Sequence, residues 1–331
     1  MSNRRKLIVA LGASALLMPF GSFAQQQGKV WRIGYLNDGG PSDDSQRRRF
    51  DAFKAGMRDL GYVEGKNLVI EQRSAENDLT RLPALAAKLV ALKVDLIIIQ
   101  GTPAAVAARN ATRDIPILIT TVSDPVGSGL AATLSHPGGN VTGLTNGVAS
   151  ELYTKRLDLL RQMLPDVDRV GFLYNPNNSG DPPALKQFES DCRKLQIKSI
   201  PAPVRKKEEI AQAFEMLKRN KAQALLVSTA GTNNAWRDSI IEAAARHRLP
   251  AAYGVTLMAE SGGLISYSAN SFELYKRAAA YADKIFKGAN PRDLPIEQPI
   301  KFETTINLKT AKALGIKIPD VVMLRADKVI E

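Results

Sequence analysis

Two stretches of the chain, DLIIIQGTPAA at residues 95–105 and QALLVSTAGTN at residues 223–233, share one pattern. In each, a short apolar run stops at small polar residues, which is typical of a buried parallel strand that turns into a helix. Two more matches occur along the chain, namely RIGYLN at 32–37 with RVGFLY at 169–174, and FKAGMRDL at 53–60 with FESDCRKL at 188–195. In chain order the three pairs are separated by 137, 135 and 128 residues. This nearly constant spacing predicts two lobes of one topology.

Between the repeated stretches, apolar runs alternate with segments of helical periodicity. Residues 44–60 are an example, with four apolar side chains on one predicted helix face, namely Phe50, Phe53, Met57 and Leu60. Such β-α-β alternation predicts parallel sheets covered by helices on both faces. The predicted fold class is therefore α/β, with two Rossmann-like, doubly wound lobes.

The tail of the chain predicts connections between the lobes. It contains a predicted helix over 271–287 and an extended segment over 321–324, so it does not simply end with the second repeat. A short helix is also predicted earlier, over 127–134. The predicted division assigns two segments to each lobe: 28–145 with 270–299 to the first, and 146–269 with 300–331 to the second.

The N-terminus has the composition of a secretory signal peptide. Basic residues at 4–6 precede an apolar run at 7–20, and Ser22-Phe23-Ala24 offers a small-x-small cleavage pattern. The run is short for a membrane span, although an uncleaved anchor is the alternative. We therefore expect residues 1–24 to be removed near Ala24 and the mature chain to be periplasmic, without stable membrane insertion.

Charge and cysteine content exclude several classes of protein. Lysine and arginine total 45 against 33 acidic residues, but the basic runs at 47–49 and 205–207 have no interleaved aromatic residues. They are more typical of solvated helix faces than of a nucleic-acid interface, so no nucleic-acid partner is expected. The single cysteine, Cys192, cannot form an internal disulfide and is predicted to be a small core residue.

Polar residues stand where the predicted strands of both lobes end. In open α/β sheets, ligands bind beyond the carboxyl ends of the strands, so these residues form a predicted cleft between the lobes. At any single position, an ordinary turn or helix-capping role is the alternative. The predicted ligand-binding residues are Asn37, Asp38, Gly101, Thr102, Thr121, Ser123, Asp124, Thr145, Asn146, Tyr174, Asn175, Thr229, Ala230 and Tyr253.

The sequence does not favour an enzyme. His136 and His247 have no partner at metal-ligand spacing, and no nucleophile elbow or phosphate-binding loop of the Walker type occurs. Residues 127–132 fit G-x-G-x-x-A, but Asp124 and Pro125 separate the glycines from the preceding strand. No catalytic residues, metal or cofactor are therefore predicted.

Several motifs together resemble one known family. They are RIGYLN, DLGYVEGKNL, DLIIIQGTPAA, IPILITTVSDPVGSGL, NVTGLTN, RVGFLYNPNNSG and GGLISYSAN, and they cover nearly all of the chain after Ala24. The chain resembles the solute-binding proteins of ABC transporters, in the branch whose better-known members bind tryptophan and related amino acids. The resemblance implies a type I periplasmic-binding fold with three inter-lobe crossovers. It also implies two partners, which are a small solute, captured by hinge closure, and a membrane permease.

The chemistry of the predicted site residues suggests how a solute would bind. Hydroxyl groups of Thr102, Thr121 and Ser123, with backbone N–H groups near Gly101, suit a carboxylate. Asp124 suits an ammonium group, because a buried cation needs a paired anion; helix capping is its alternative role.

Two tyrosines would complete such a site. Tyr174 and Tyr253 suit an apolar or aromatic side chain. The expected solute is therefore an amino acid, aromatic ones included, or a related carboxylate, and the protein is expected to bind it as a monomer. A sugar or nucleoside binder on the same fold is the first alternative. An exported α/β enzyme and a sensory binding partner are the others.

Overall fold

The computed structural model describes residues 29–40, 44–147 and 149–331. Residues 31–331 form one unit that contains two sheets. The predicted signal peptide lies outside the described residues. Within the described residues, no helix has both the length and the apolar composition that crossing a membrane requires.

The first half of the chain builds the first sheet. Its strands are β1 (Trp31–Asn37), β2 (Leu68–Ser74), β3 (Leu96–Gln100), β4 (Ile117–Val122) and β5 (Val141–Thr145). The helices between them are α1 (Asp44–Asp59), α2 (Leu82–Ala91) and α3 (Thr102–Ala111). Every residue of β3 is buried, as its unbroken run of isoleucines requires of a strand covered on both faces.

The second half repeats this order. Its strands are β6 (Arg169–Tyr174), β7 (Lys198–Pro203), β8 (Ala224–Val227), β9 (Ala251–Tyr253) and β10 (Ile265–Ala269). Its helices are α4 (Ala149–Met163), α5 (Asp181–Lys194), α6 (Ile210–Arg219), α7 (Gly231–Ala235), α8 (Arg237–Arg246) and α9 (Thr256–Glu260).

The tail adds the remaining elements to both sheets. They are α10 (Ser271–Phe286), β11 (Ile296–Glu297), β12 (Phe302–Asn307), α11 (Leu308–Leu314), α12 (Asp320–Met323) and β13 (Lys328–Ile330). The sheet orders are β11-β5-β4-β3-β1-β2 and β13-β12-β10-β9-β8-β6-β7. When the tail strands are left out, the two sheets have equivalent orders: β5-β4-β3-β1-β2 in the first and β10-β9-β8-β6-β7 in the second. The predicted two-lobe α/β fold is therefore confirmed.

Three segments join the lobes, here defined as each sheet with its covering helices. The chain passes from β5 to α4, from β10 to α10, and from β11 to β12. β12 pairs antiparallel with β10, unlike the other sheet partners, because β10 leads out of the second sheet and β12 leads back into it. Helix α10 packs so closely on α1 that a Cβ on Gly56 would lie 2.9 Å from Ala279 Cβ.

Two predicted elements are wrong. Residues 127–134 form turns rather than a helix: Gly129 has φ +71°, and the N–H groups of Leu130 and Ala131 both donate to the carbonyl of Pro125. Residues 321–324 are not extended, because α12 begins directly after Pro319, whose carbonyl accepts hydrogen bonds from Val322 and Met323.

We expect Gly143→Ala to destabilise the fold much more than Gly288→Ala. Both glycines have positive φ, +131° and +95°, but a Cβ on Gly143 would lie 2.2 Å from the carbonyl oxygen of Ile119, whereas Gly288 faces open space. Backbone strain alone predicts about 1 kcal/mol for Gly288→Ala, and the added clash between β4 and β5 predicts about 3 kcal/mol or more for Gly143→Ala. Urea unfolding of both variants measures the difference; equal losses would contradict the described pairing of β4 with β5.

Candidate functional site

The carboxyl ends of the two sheets face a common cavity of about 290 Å³. This central cavity lies at the low end of the range of roughly 300–1,000 Å³ that is usual for small-molecule sites. Both lobes contribute to its wall, including the ends of β1, β3 and β4 from the first lobe and residues after β8 and β9 from the second. A narrower space of about 20 Å³ continues from it between the lobes.

Asp38 occupies the junction of the two lobes. It follows β1 and is 2 % exposed. A Cβ on Gly101 would lie 2.5 Å from its Oδ2 atom, and a Cβ on Gly231 of the second lobe would lie 2.6 Å from its Oδ1 atom. The absence of side chains at both glycines is therefore what makes room for the carboxylate, which lines both spaces.

Arg156 of α4 is the main cation on the second-lobe side of the central cavity. It is 1 % exposed, its Nε donates to the carbonyl of Tyr267 at 2.9 Å, and its guanidinium lies 5.1 Å from the ring centroid of Tyr153. Within the described part of the chain it forms no ion pair with a carboxylate. Burial lowers the pKa of Arg156, although an arginine remains cationic at neutral pH.

Gly254 provides the space for this arginine. A Cβ there would lie 2.8 Å from Arg156 Cζ and 2.2 Å from Thr229 Cγ2. Thr229 also approaches the first lobe, because its Oγ1 lies 3.5 Å from Ser123 Oγ. The two lobes thus meet through small polar groups beside the cavity.

Gln100, the last residue of β3, is held by two tyrosines. Its Oε1 accepts the hydroxyl protons of Tyr35 and Tyr275, each at 2.8 Å. All three side chains are buried, and Gln100 lines the central cavity. Phe272 and Leu274 from the first turns of α10 also line the cavity, as do Arg48 and Arg49 of α1, and the Arg48 guanidinium lies 5.5 Å from the centroid of the Phe272 ring.

A second carboxylate, Asp181, lies beside the narrow space. Its Oδ2 accepts hydrogen bonds from the Asn175 N–H and the Ser228 hydroxyl, each at 2.7 Å. Burial raises the pKa of Asp181 to about 7, against the two hydrogen bonds, and the nearby charge of Asp38 adds to the rise.

The structure brings eight of the predicted site residues to these two spaces. They are Asp38, Gly101, Thr102, Thr121, Ser123, Asn146, Thr229 and Ala230. Six others lie outside them: Asn37, Asp124, Thr145, Tyr174, Asn175 and Tyr253.

Each of the six has another role in the fold. Asp124 is exposed and accepts a hydrogen bond from the Gly127 N–H at 2.8 Å, so it caps a turn. Tyr253 is 1 % exposed within the second-lobe core, and Tyr174 packs against Phe172. The polar side chains of the other three satisfy local backbone or neighbouring groups, and these are Asn37, Thr145 and Asn175.

The predicted set omits Arg156 and Gln100. The sequence contains a signal for Arg156, because it shares a helix face with Leu152, Tyr153 and Leu160, and an arginine on an apolar face needs a partner. No comparable signal marks Gln100. Among the described residues, no group of three or more histidine, cysteine, aspartate or glutamate side chains is arranged to hold a metal ion.

We expect the raised pKa of Asp181 to make stability fall as pH rises. The native state keeps the proton up to about pH 7, whereas the unfolded chain loses it near pH 4, so the native state binds more protons between these values. The free energy of unfolding should therefore decline by about 2–4 kcal/mol from pH 4 to pH 8 through this group. The variant Asp181→Asn should lack this decline. Denaturant titration of wild type and variant at both pH values measures the free energy of unfolding. Asp168→Asn, at an exposed position, is the control, and identical pH profiles for wild type and Asp181→Asn would refute the role of burial.

Comparison with known proteins places this architecture in a family. The family model described as "ABC transporter substrate binding protein" matches residues 41–330. A tyrosine-binding protein of Clostridioides difficile (strain R20291) is 30% identical over 277 residues, which covers 84% of this chain and 78% of that protein.

Two solved structures extend the comparison. The ABC domain from Streptococcus pneumonia in complex with L-Trp is 26% identical with a TM-score of 0.84, covering 91% of this chain and 100% of the other. The ligand-free, open structure of CD0873, a substrate-binding protein from Clostridium difficile, is 28% identical with a TM-score of 0.66, covering 91% and 99%. The type I periplasmic-binding fold is thus confirmed, and the chain belongs to the family of ABC transporter substrate-binding proteins.

Proposed function

We propose that this protein captures an amino acid between its two lobes and delivers it to the permease of an ABC import system. The observation that supports this most is the opposite charge of two buried side chains that line one cavity, Asp38 from the first lobe and Arg156 from the second. An α-amino acid carries one group for each of them.

Arg156 is proposed to bind the carboxylate. A buried charge is costly unless it is paired, and no protein carboxylate forms an ion pair with this guanidinium in the described part of the chain. A solute carboxylate in the cavity would supply the missing anion through charge-assisted hydrogen bonds. The threonine and serine hydroxyls at the strand ends would add neutral donors.

Asp38 is proposed to bind the ammonium group, a role that the sequence assigns to Asp124. The difference is one of burial: Asp38 is 2 % exposed and lines the cavity, whereas Asp124 is exposed and caps a turn. Water screens an exposed carboxylate, so only the buried one can contribute strongly to binding.

The rest of the solute would be apolar. The central cavity is lined in part by Val255, Leu257, Phe272 and Leu274. The tyrosine-binding protein and the L-Trp complex among the relatives support an aromatic amino acid. Neither tryptophan of the chain lines the cavity: Trp31 stacks on Phe286, and Trp236 packs in the second-lobe core. This arrangement does not favour the alternative of a sugar that stacks on several aromatic rings.

Hinge closure would couple binding to recognition by the permease. The chain is more similar to the L-Trp complex, with a TM-score of 0.84, than to the ligand-free, open structure, with 0.66. This supports a closed arrangement of the lobes here, and we propose that they separate about the three connecting segments, at the predicted boundaries after residues 145, 269 and 299. Solute bound by one lobe would shift the population toward the closed form.

The cellular setting belongs to the same proposal. Residues 1–24 would direct export, and the mature chain would act as a periplasmic monomer. Useful capture of a dilute solute requires roughly micromolar affinity, about −8 kcal/mol.

We expect Arg156→Met and Asp38→Asn each to weaken binding of L-tyrosine or L-tryptophan by about 2–5 kcal/mol, because each removes one partner of a buried charged pair. Isothermal titration calorimetry measures the loss, and Asp124→Ala is the matched control, with affinity close to that of wild type.

A second arm identifies the group that each residue binds. Wild type should prefer L-tyrosine over tyramine, which lacks the carboxylate, and Arg156→Met should lose this preference. Equal binding of the two compounds by wild type would contradict the carboxylate role of Arg156. Failure of wild type to bind any amino acid would refute the proposed function itself.

A further inference from the structure

We propose that Gln100 selects solutes whose side chain carries a hydrogen-bond acceptor, through an amide nitrogen that Tyr35 and Tyr275 hold toward the cavity. This inference rests on the proposed function, and it narrows the solute to amino acids with an apolar side chain that bears an acceptor atom. A phenol is the aromatic example, because its oxygen accepts a hydrogen bond, whereas phenyl and indole groups offer no such oxygen.

The hydrogen bonds determine the orientation of the amide. Oε1 of Gln100 accepts the hydroxyl protons of Tyr35 and Tyr275, each at 2.8 Å, and two donors saturate a carbonyl oxygen. Exchanging the positions of Oε1 and Nε2 would remove the shared acceptor of the Tyr35 and Tyr275 hydroxyl protons. Both hydroxyl groups are buried, and an unsatisfied buried donor is costly. The nitrogen atom is therefore the part of the amide left for the cavity.

Nε2 of Gln100 has no acceptor within the described part of the chain, and it is not enclosed. Because Gln100 lines the central cavity, the partner of its N–H groups must be water or a solute atom. A solute that offers an acceptor replaces the water without loss, whereas a solute with a hydrocarbon at the same place leaves the donor unpaired.

The surroundings assign this donor to the solute side chain. Leu274 and Phe272 lie in the same wall, and Leu274 precedes Tyr275, which holds the amide. The two charged groups proposed for the ammonium and the carboxylate, Asp38 and Arg156, belong to other elements of the wall. Gln100 is thus a neutral donor between the Asp38 carboxylate, which lies against the neighbouring Gly101, and the apolar side chains of α10. The side chain of a solute whose ammonium group is held at Asp38 would begin at this place, which suits an apolar side chain with one acceptor.

Binding of L-tyrosine and L-phenylalanine tests the proposal. We expect wild type to prefer L-tyrosine by about tenfold, and we expect Gln100→Met, which keeps the length of the side chain and removes its donors, to bind the two with equal affinity. Tyr275→Phe should partly lower the ratio of the affinities for L-tyrosine and L-phenylalanine, because one of the two hydrogen bonds that orient the amide is lost.

Gln187→Met is the matched control. The Nε2 atom of Gln187 donates to Asp191 away from the cavity, so the ratio of affinities should stay at the wild-type value. Thermal unfolding verifies that each variant is folded.

The other outcomes overturn the proposal in distinguishable ways. Equal affinity of wild type for L-tyrosine and L-phenylalanine would overturn the role of Gln100 and leave the proposed function standing. An equal loss of affinity for both compounds in Gln100→Met would make the residue structural and would also overturn the role. Failure of wild type to bind either compound would refute the proposal of an aromatic amino acid and this inference with it.

Discussion

The contact of the Asp38 carboxylate with two glycines determines how the lobes come together. Gly101 lies beyond β3 of the first sheet, Gly231 begins α7 of the second lobe, and a side chain at either position would strike the carboxylate. The lobes therefore meet on a buried charge and on small hydroxyl groups such as Ser123 and Thr229. Polar contacts between lobes are typical of interfaces that can open again.

The distribution of charge follows from that contact. Asp38 and Arg156 line the same cavity from different lobes, and a solute that carries an ammonium group and a carboxylate would place a complementary charge against each. Binding energy would then be available to close the lobes rather than only to hold the solute. In the proposed complex, Gln100 would add a neutral donor that contacts the side chain of the solute.

The sequence predicts most of the architecture and about half of the site. The repeat of apolar strands is a local pattern, and it carries over directly to the equivalent strand orders of the two sheets. The residues after the strand ends reach the cleft because parallel strands bring their carboxyl ends to one edge. Asp124 also follows a strand, but its carboxylate caps the next turn of the chain and is exposed to solvent.

By itself, the sequence determined the two lobes, their connections through the tail and the general place of the cleft, because periodicity and repeats depend on neighbouring residues. Only the tertiary structure decided which side chains line the cavity. Gln100 is oriented by tyrosines 65 and 175 residues away along the chain. Arg156 reaches the cavity because Gly254 leaves room for it. Such orientations depend on contacts between distant segments, and these contacts exist only once both sheets have formed and the lobes have come together.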